Sequence, residues 1–151
     1  MYDILHEVNI AEAPDKVYEA ITESKGLEAW WAPQALAEPR VGSTVQARFA
    51  DGHFVITMDV AALEPTRKVE WIIQEGLAEW QGTHVTWDLV PAVVGKGTKV
   101  LFGHRGFAST DGPLPAASYD WAFYLTSLVE YLETGKGTPG GLDARFAQFN
   151  S

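Results

Sequence analysis

Residues 45–60 read VQARFADGHFVITMDV: two runs with an apolar side chain at every second position, joined at Asp51-Gly52. A period of two marks a strand with one buried face and one wet face. Val45, Ala47 and Phe49 share the inner face of the first run, and Phe54, Ile56, Met58 and Val60 that of the second. Asp-Gly between alternating runs signals a tight hairpin, because glycine accepts the positive φ that such turns need. The stretch reads as an antiparallel hairpin.

The same period continues downstream. Val69, Trp71 and Ile73 follow a turn at Glu64-Pro65-Thr66. Thr83, Val85, Trp87 and Leu89 follow a looser segment at Gly76, and Val100, Phe102 and His104 follow Gly95-Lys96-Gly97. Five strands with short links describe an antiparallel meander rather than a parallel sheet. Upstream, Ile4, His6, Val8 and Ile10 alternate with Leu5, Glu7 and Asn9 and add another strand. Pro14 then suits a first helical turn, where its missing N–H leaves nothing unpaired. Asp15 favours the positive end of that helix, and Val17, Ala20 and Ile21 repeat at helical spacing, so residues 14–23 form a short helix. Ser24 is read as the cap of a second short helix that ends in Trp30-Trp31 and is stopped by Pro33.

The longest helical pattern covers residues 115–133. Trp121, Leu125, Leu128 and Leu132 form one stripe with Tyr124 beside it, and Gly135 supplies a C-terminal cap. Leu142, Phe146 and Phe149 suggest a short docked helix after it. The fold class is α+β: a curved antiparallel sheet of six to seven strands wrapped around a long C-terminal helix, with two short helices after the first strand. One domain is expected over residues 1–151.

Composition narrows the function. Eleven basic residues against 20 acidic ones give a net charge of −9, which repels phosphate backbones and anionic lipid surfaces. Nucleic acid and membrane are therefore not expected partners. The absence of cysteine removes disulfides, thiol catalysis and thiolate metal sites. The opening MYDILHEVNI has no basic region followed by an apolar run, so no signal peptide is read and a cytoplasmic location is expected. Six Trp, seven Phe and five Tyr are a large aromatic complement, each ring burying about 150–250 Å².

The sheet's inner face and the long helix bring these rings together. A curled sheet touches a straight helix unevenly, and the space between must be filled by side chains or by a ligand. Trp31, Phe49, Phe54, Ile56, Met58, Trp71, Trp87, Phe102, His104, Phe107, Trp121, Tyr124, Leu125 and Leu128 are the candidate lining of a pocket there. The same rings also serve simply to fill the core. Trp30 and Trp31, adjacent at a helix end, are expected to face different sides, with one guarding the entrance.

Catalytic signals are sparse. His6 and His104 fall on apolar strand faces, and His53 and His84 on polar ones. An inward histidine is usually a hydrogen-bonded core group; His104 is the one weak catalytic candidate, offering a ligand a polar contact or a proton. Arg105 falls on the face opposite His104, Glu79 reads as an exposed loop carboxylate, and Asp120 is expected to point to solvent. No histidines stand at metal-ligand spacing, no Gly-x-Ser-x-Gly elbow occurs, and the glycines spell no phosphate loop, so no metal and no cofactor are expected.

The stretch Val8 to Trp31, VNIAEAPDKVYEAITESKGLEAWW, resembles the opening of the START-like SRPBCC superfamily. Val69-Glu70-Trp71, Trp80-Gln81-Gly82-Thr83, His104-Arg105-Gly106-Phe107 and the closing YDWAFYLTSLVEYLETG of residues 119–135 are similar to the family named for the activator of the heat-shock ATPase. The resemblance implies the helix-grip fold. It also implies one of three activities, since fold alone does not fix function. The first is binding of a small hydrophobic or aromatic molecule between sheet and helix. The second is an enzyme of the polyketide cyclase, aromatase or small hydrolase kind using a pocket histidine, His104 or His6. The third is a co-chaperone-like interaction module. The sequence matches no catalytic set of the cyclases, so binding ranks first, as a monomer or homodimer.

Overall fold

The computed structural model describes residues 1–144. The elements run β1 (Tyr2–Ile10), α1 (Pro14–Thr22), α2 (Ser24–Trp30), β2 (Gln34–Leu36), β3 (Thr44–Phe49), β4 (Phe54–Glu64), β5 (Lys68–Glu75), β6 (His84–Pro91), β7 (Thr98–Phe107) and α3 (Leu114–Thr134). The seven strands form one antiparallel sheet in the order β1-β7-β6-β5-β4-β3-β2. The meander of β3 to β7 is as the alternation implies, and β1 joins its far edge by pairing with β7. The expected docked helix carrying Phe146 and Phe149 lies outside the described residues. Among the described residues no helix is long and apolar enough to cross a membrane.

Sheet curvature has a local origin. The β4–β5 register shifts between Thr57 and Met58 and again between Val60 and Ala62. Each shift is a bulge, which bends a strand and increases its twist. The curled face receives α3, whose 21 residues span about 31 Å at ~1.5 Å per residue. Gly135 ends α3 in the left-handed region at φ 88°, where a side chain would be strained, and its N–H bonds back to the Tyr131 carbonyl.

Three details differ from the sequence reading. Ser24 does not cap α2. Its hydroxyl donates to the Ala37 carbonyl and accepts from the Ala37 N–H, fastening the helix start to the chain beyond β2. The β3–β4 link is four residues long, a 3₁₀ turn over Ala50–Gly52 with His53 as its C-cap, closed by the pair Phe49–Phe54, and Ala50 and Asp51 carry positive φ of 52° and 55°. Trp30 and Trp31 are both buried, Trp30 as the last residue of α2 and Trp31 as its C-cap.

The segments around α3 are tied by polar groups. Buried Ser127 donates to the Trp30 carbonyl at 2.7 Å and accepts from the Thr138 N–H at 2.7 Å, so one hydroxyl joins α2, α3 and the chain beyond. Gly140 N–H bonds to the Trp31 carbonyl at 3.0 Å. These bonds fix where the two tryptophans meet α3.

Candidate functional site

The inner face of the sheet carries Trp71 on β5, Trp87 on β6 and Phe102 on β7, all buried. Trp87 pairs across the ladder with Val69 and Phe102, so the rings lie side by side on one face. The end of α2 delivers Trp30 and Trp31, and α3 delivers Trp121 and Tyr124. Trp31 is the centre of the resulting stack, with Trp121 at 5.4 Å and 22°, Trp30 at 5.9 Å and 20°, and Trp71 at 6.0 Å and 12°. Trp87 meets Trp30, Trp71, Phe102 and Trp121 edge-on. Offset stacks and edge contacts are the favourable geometries for aromatic rings, worth about 0.5–1.5 kcal/mol per pair beyond area burial.

These rings close most of the space beneath α3. Among the described residues, a cleft of about 20 Å³ lies there, lined by Trp31, Phe49, Phe54, Ile56, Trp80, Asp120, Trp121 and Tyr124. That volume takes one water, whereas cavities that bind benzene are on the order of 150 Å³. The cleft is narrower than the small-molecule pocket expected from the sequence. Of the candidate lining residues, Trp31, Phe49, Phe54, Ile56, Trp121 and Tyr124 come together on it. Met58, Trp71, Trp87, Phe102, His104, Phe107, Leu125 and Leu128 are buried but do not line it.

Two lining residues escape the sequence reading. Asp120, expected in solvent, is half-buried on the cleft. Trp80 sits on a 3₁₀ turn, Ala78–Trp80, between β5 and β6. It is 5% exposed although its neighbours Leu77, Ala78, Glu79 and Gln81 are all exposed. No strand period reaches it; the available signal was a lone tryptophan between Gly76 and Gly82.

His104 is wholly buried and both its ring nitrogens are engaged. Trp121 Nε1–H donates to Nδ1 at 3.1 Å. Nδ1 is therefore the acceptor, so Nε2 carries the proton and donates to Thr83 Oγ1 at 2.8 Å. Thr83 in turn donates its hydroxyl proton to the Trp80 carbonyl. The chain runs one way, from α3 through β7 and Thr83, just before β6, to the turn that holds Trp80. Burial pushes the His104 pKa down to about 3, which keeps the ring neutral. Its only lone pair is taken by Trp121, so His104 has no nitrogen free for a ligand or for proton transfer in this arrangement.

The other histidines are also accounted for. His6 Nε2 lies 3.2 Å from the Ser118 carbonyl, which can only accept, so that nitrogen carries a proton and ties β1 to α3. It cannot then act as a base toward Ser118 Oγ, 3.4 Å away. His84 pairs with Glu70 at 2.7 Å, and His53 is exposed. Arg105 projects from β7 away from His104 and meets Asp3 at 3.2 Å. Among the described residues no group of three His, Cys, Asp or Glu side chains could hold a metal.

A bulged antiparallel sheet gripping one long helix, with aromatic rings between them, defines the START-like helix-grip class. Within it, the family model described as Activator of Hsp90 ATPase homolog 1-like protein matches residues 12–133, and the chain belongs to that family. The solution structure of the Aha1 dimer from Colwellia psychrerythraea is 33% identical, with a TM-score of 0.80 over 91% of this chain and 100% of that one. DynU16, from the dynemicin biosynthetic locus, is 22% identical with a TM-score of 0.73, over 89% of this chain and 48% of its own. CalU16 from Micromonospora echinospora is 17% identical with a TM-score of 0.71, over 98% and 83%. The last two likenesses concern the fold alone. No curated protein matches by sequence.

Proposed function

We propose that this protein binds a small hydrophobic or aromatic molecule in the cleft between β3–β4 and α3, and that binding widens the cleft by moving its lining. The observation that carries this reading is the lining itself: six aromatic rings and Ile56 surround the cleft, with Asp120 as its one acidic member. Ligand sites are commonly apolar concavities with a few polar groups that orient the guest. The place of DynU16 in the dynemicin biosynthetic locus fits a ligand-handling use of the fold. Binding is favoured over catalysis because both ring nitrogens of His104, the histidine in the aromatic core, are engaged. The expected setting is the cytoplasm, as a monomer or, like the Colwellia relative, a homodimer.

A second reading, a protein-interaction module, draws on the family membership and on the dense packing of the rings. Thermal unfolding against a panel of lipids and aromatic metabolites separates the two. Ligand held at about 100 times its Kd stabilises by about 2.7 kcal/mol, a shift of several degrees for a domain of this size. An unchanged midpoint across the panel, with a partner protein co-purifying, would select the interaction module.

A further inference from the structure

We propose that the indole N–H of Trp80 is the polar anchor of the cleft, selecting planar aromatic guests that carry one neutral hydrogen-bond acceptor. This rests on the reading that the cleft takes a small molecule, and adds the class of guest. Trp80 lines the cleft, and its Nε1 is buried without a hydrogen-bond partner among the described residues. Buried indole N–H groups are normally paired, as Trp30 is with the Ala20 carbonyl at 2.8 Å and Trp121 with His104. Trp87 Nε1 is likewise unpaired, but Trp87 does not line the cleft. A donor withheld from both water and protein at the wall of an aromatic cleft is satisfied when a guest brings an acceptor.

The surroundings say what else the guest must be. Trp80 meets Phe54 edge-on at 6.0 Å and His104 edge-on at 5.1 Å, so the walls favour flat rings. Asp120 on the same cleft and a net charge of −9 disfavour an anionic acceptor, leaving a carbonyl, an ether or a ring nitrogen. The means of opening is also present. The Trp80 backbone is pinned, its N–H to the Leu77 carbonyl and its carbonyl to Thr83, while its side chain makes no hydrogen bond among the described residues. The ring can turn about its own side-chain bonds without breaking the main-chain bonds of the 3₁₀ turn.

Quinoline and naphthalene, alike in shape and different by one ring nitrogen, test the anchor on the full-length protein. Quinoline should move the Trp80 indole N–H resonance downfield. Trp80→Phe, which keeps an aromatic ring and removes the donor, should weaken quinoline binding by about 3- to 10-fold, the worth of one hydrogen bond. Naphthalene makes no such bond, so its affinity should fall by less than that of quinoline, through the lost wall contact alone. If the variant fails to fold, the wild-type resonance decides alone. A Trp80 resonance unmoved by bound quinoline, or equal losses for both compounds, overturns the anchor while leaving the binding reading intact. Failure of the wild-type protein to bind either compound overturns both.

Discussion

At the scale of single residues, His104 shows how a polar side chain is accommodated in an aromatic core. Its position on an apolar strand face was legible from the alternation of Val100, Phe102 and His104. Its partners were not, because Thr83 and Trp121 lie 21 and 17 residues away and are brought near only by β6–β7 pairing and by α3. The neutral, doubly bonded ring has a consequence for acid stability. The folded-state pKa is about 3, against about 6.5 unfolded, so below pH 6.5 the unfolded chain takes up a proton that the folded chain refuses. The stabilisation is present above pH 6.5 and is lost as pH falls from 6.5 toward 3, on the order of 1 kcal/mol per pH unit and about 5 kcal/mol in all. His104→Gln cannot titrate. Urea unfolding between pH 7.5 and 5 should show the variant less stable at pH 7.5, by about 1–3 kcal/mol for the disturbed hydrogen bonds, but with a shallower pH dependence. Parallel pH profiles for the two proteins would mean that His104 takes up its proton as readily in the fold as in the unfolded chain.

At the scale of elements, legibility followed length. Pro14, the spacing of Val17, Ala20 and Ile21, and the stripe on α3 each cover several turns, and the helices lie within a residue or two of their expected bounds. The three residues of β2 offer one buried side chain, Ala35, and no period can be read from one point. Long-range ties place that strand instead: the Ala35 N–H bonds to Glu28 on α2, and Ala37 to Ser24. The close approach of α1 and α2 was equally hidden. A Cβ on Gly26 would lie 2.6 Å from Ala20 Cα and 2.7 Å from its carbonyl oxygen, backbone atoms that cannot swing aside. That same carbonyl receives the Trp30 indole N–H. Gly26→Ala should therefore destabilise by more than about 2 kcal/mol, outweighing the ~1 kcal/mol that alanine ordinarily gains over glycine within a helix. Chemical denaturation measures the loss, and displacement of the Trp30 indole resonance locates it. A variant as stable as wild type with that resonance unmoved would show that the two helices have room to part.

At the scale of the whole molecule, the sequence named the rings that meet beneath α3 but not whether they leave a hollow. Alternation and helical stripes say which side chains face inward, whereas a void depends on ring angles and on side chains such as Trp80 that arrive from aperiodic turns. The interior is built around Trp31, 2% exposed, stacked on Trp30, Trp71 and Trp121 and edge-on to Phe49. Four elements thus meet through one side chain: α2, which bears Trp30 and has Trp31 at its C-cap, and β3, β5 and α3. Its removal takes away area from every one of those contacts and leaves a hole that the backbones cannot collapse to fill. Trp31→Ala should cost about 3–5 kcal/mol, the range for a large ring cut to alanine in a packed core. The hole should then accept the ring it lost, so free indole should raise the unfolding temperature of the variant well above any effect on wild type. A loss below about 1 kcal/mol, with indole acting equally on both proteins, would mean that the rings around Trp31 enclose space rather than fill it.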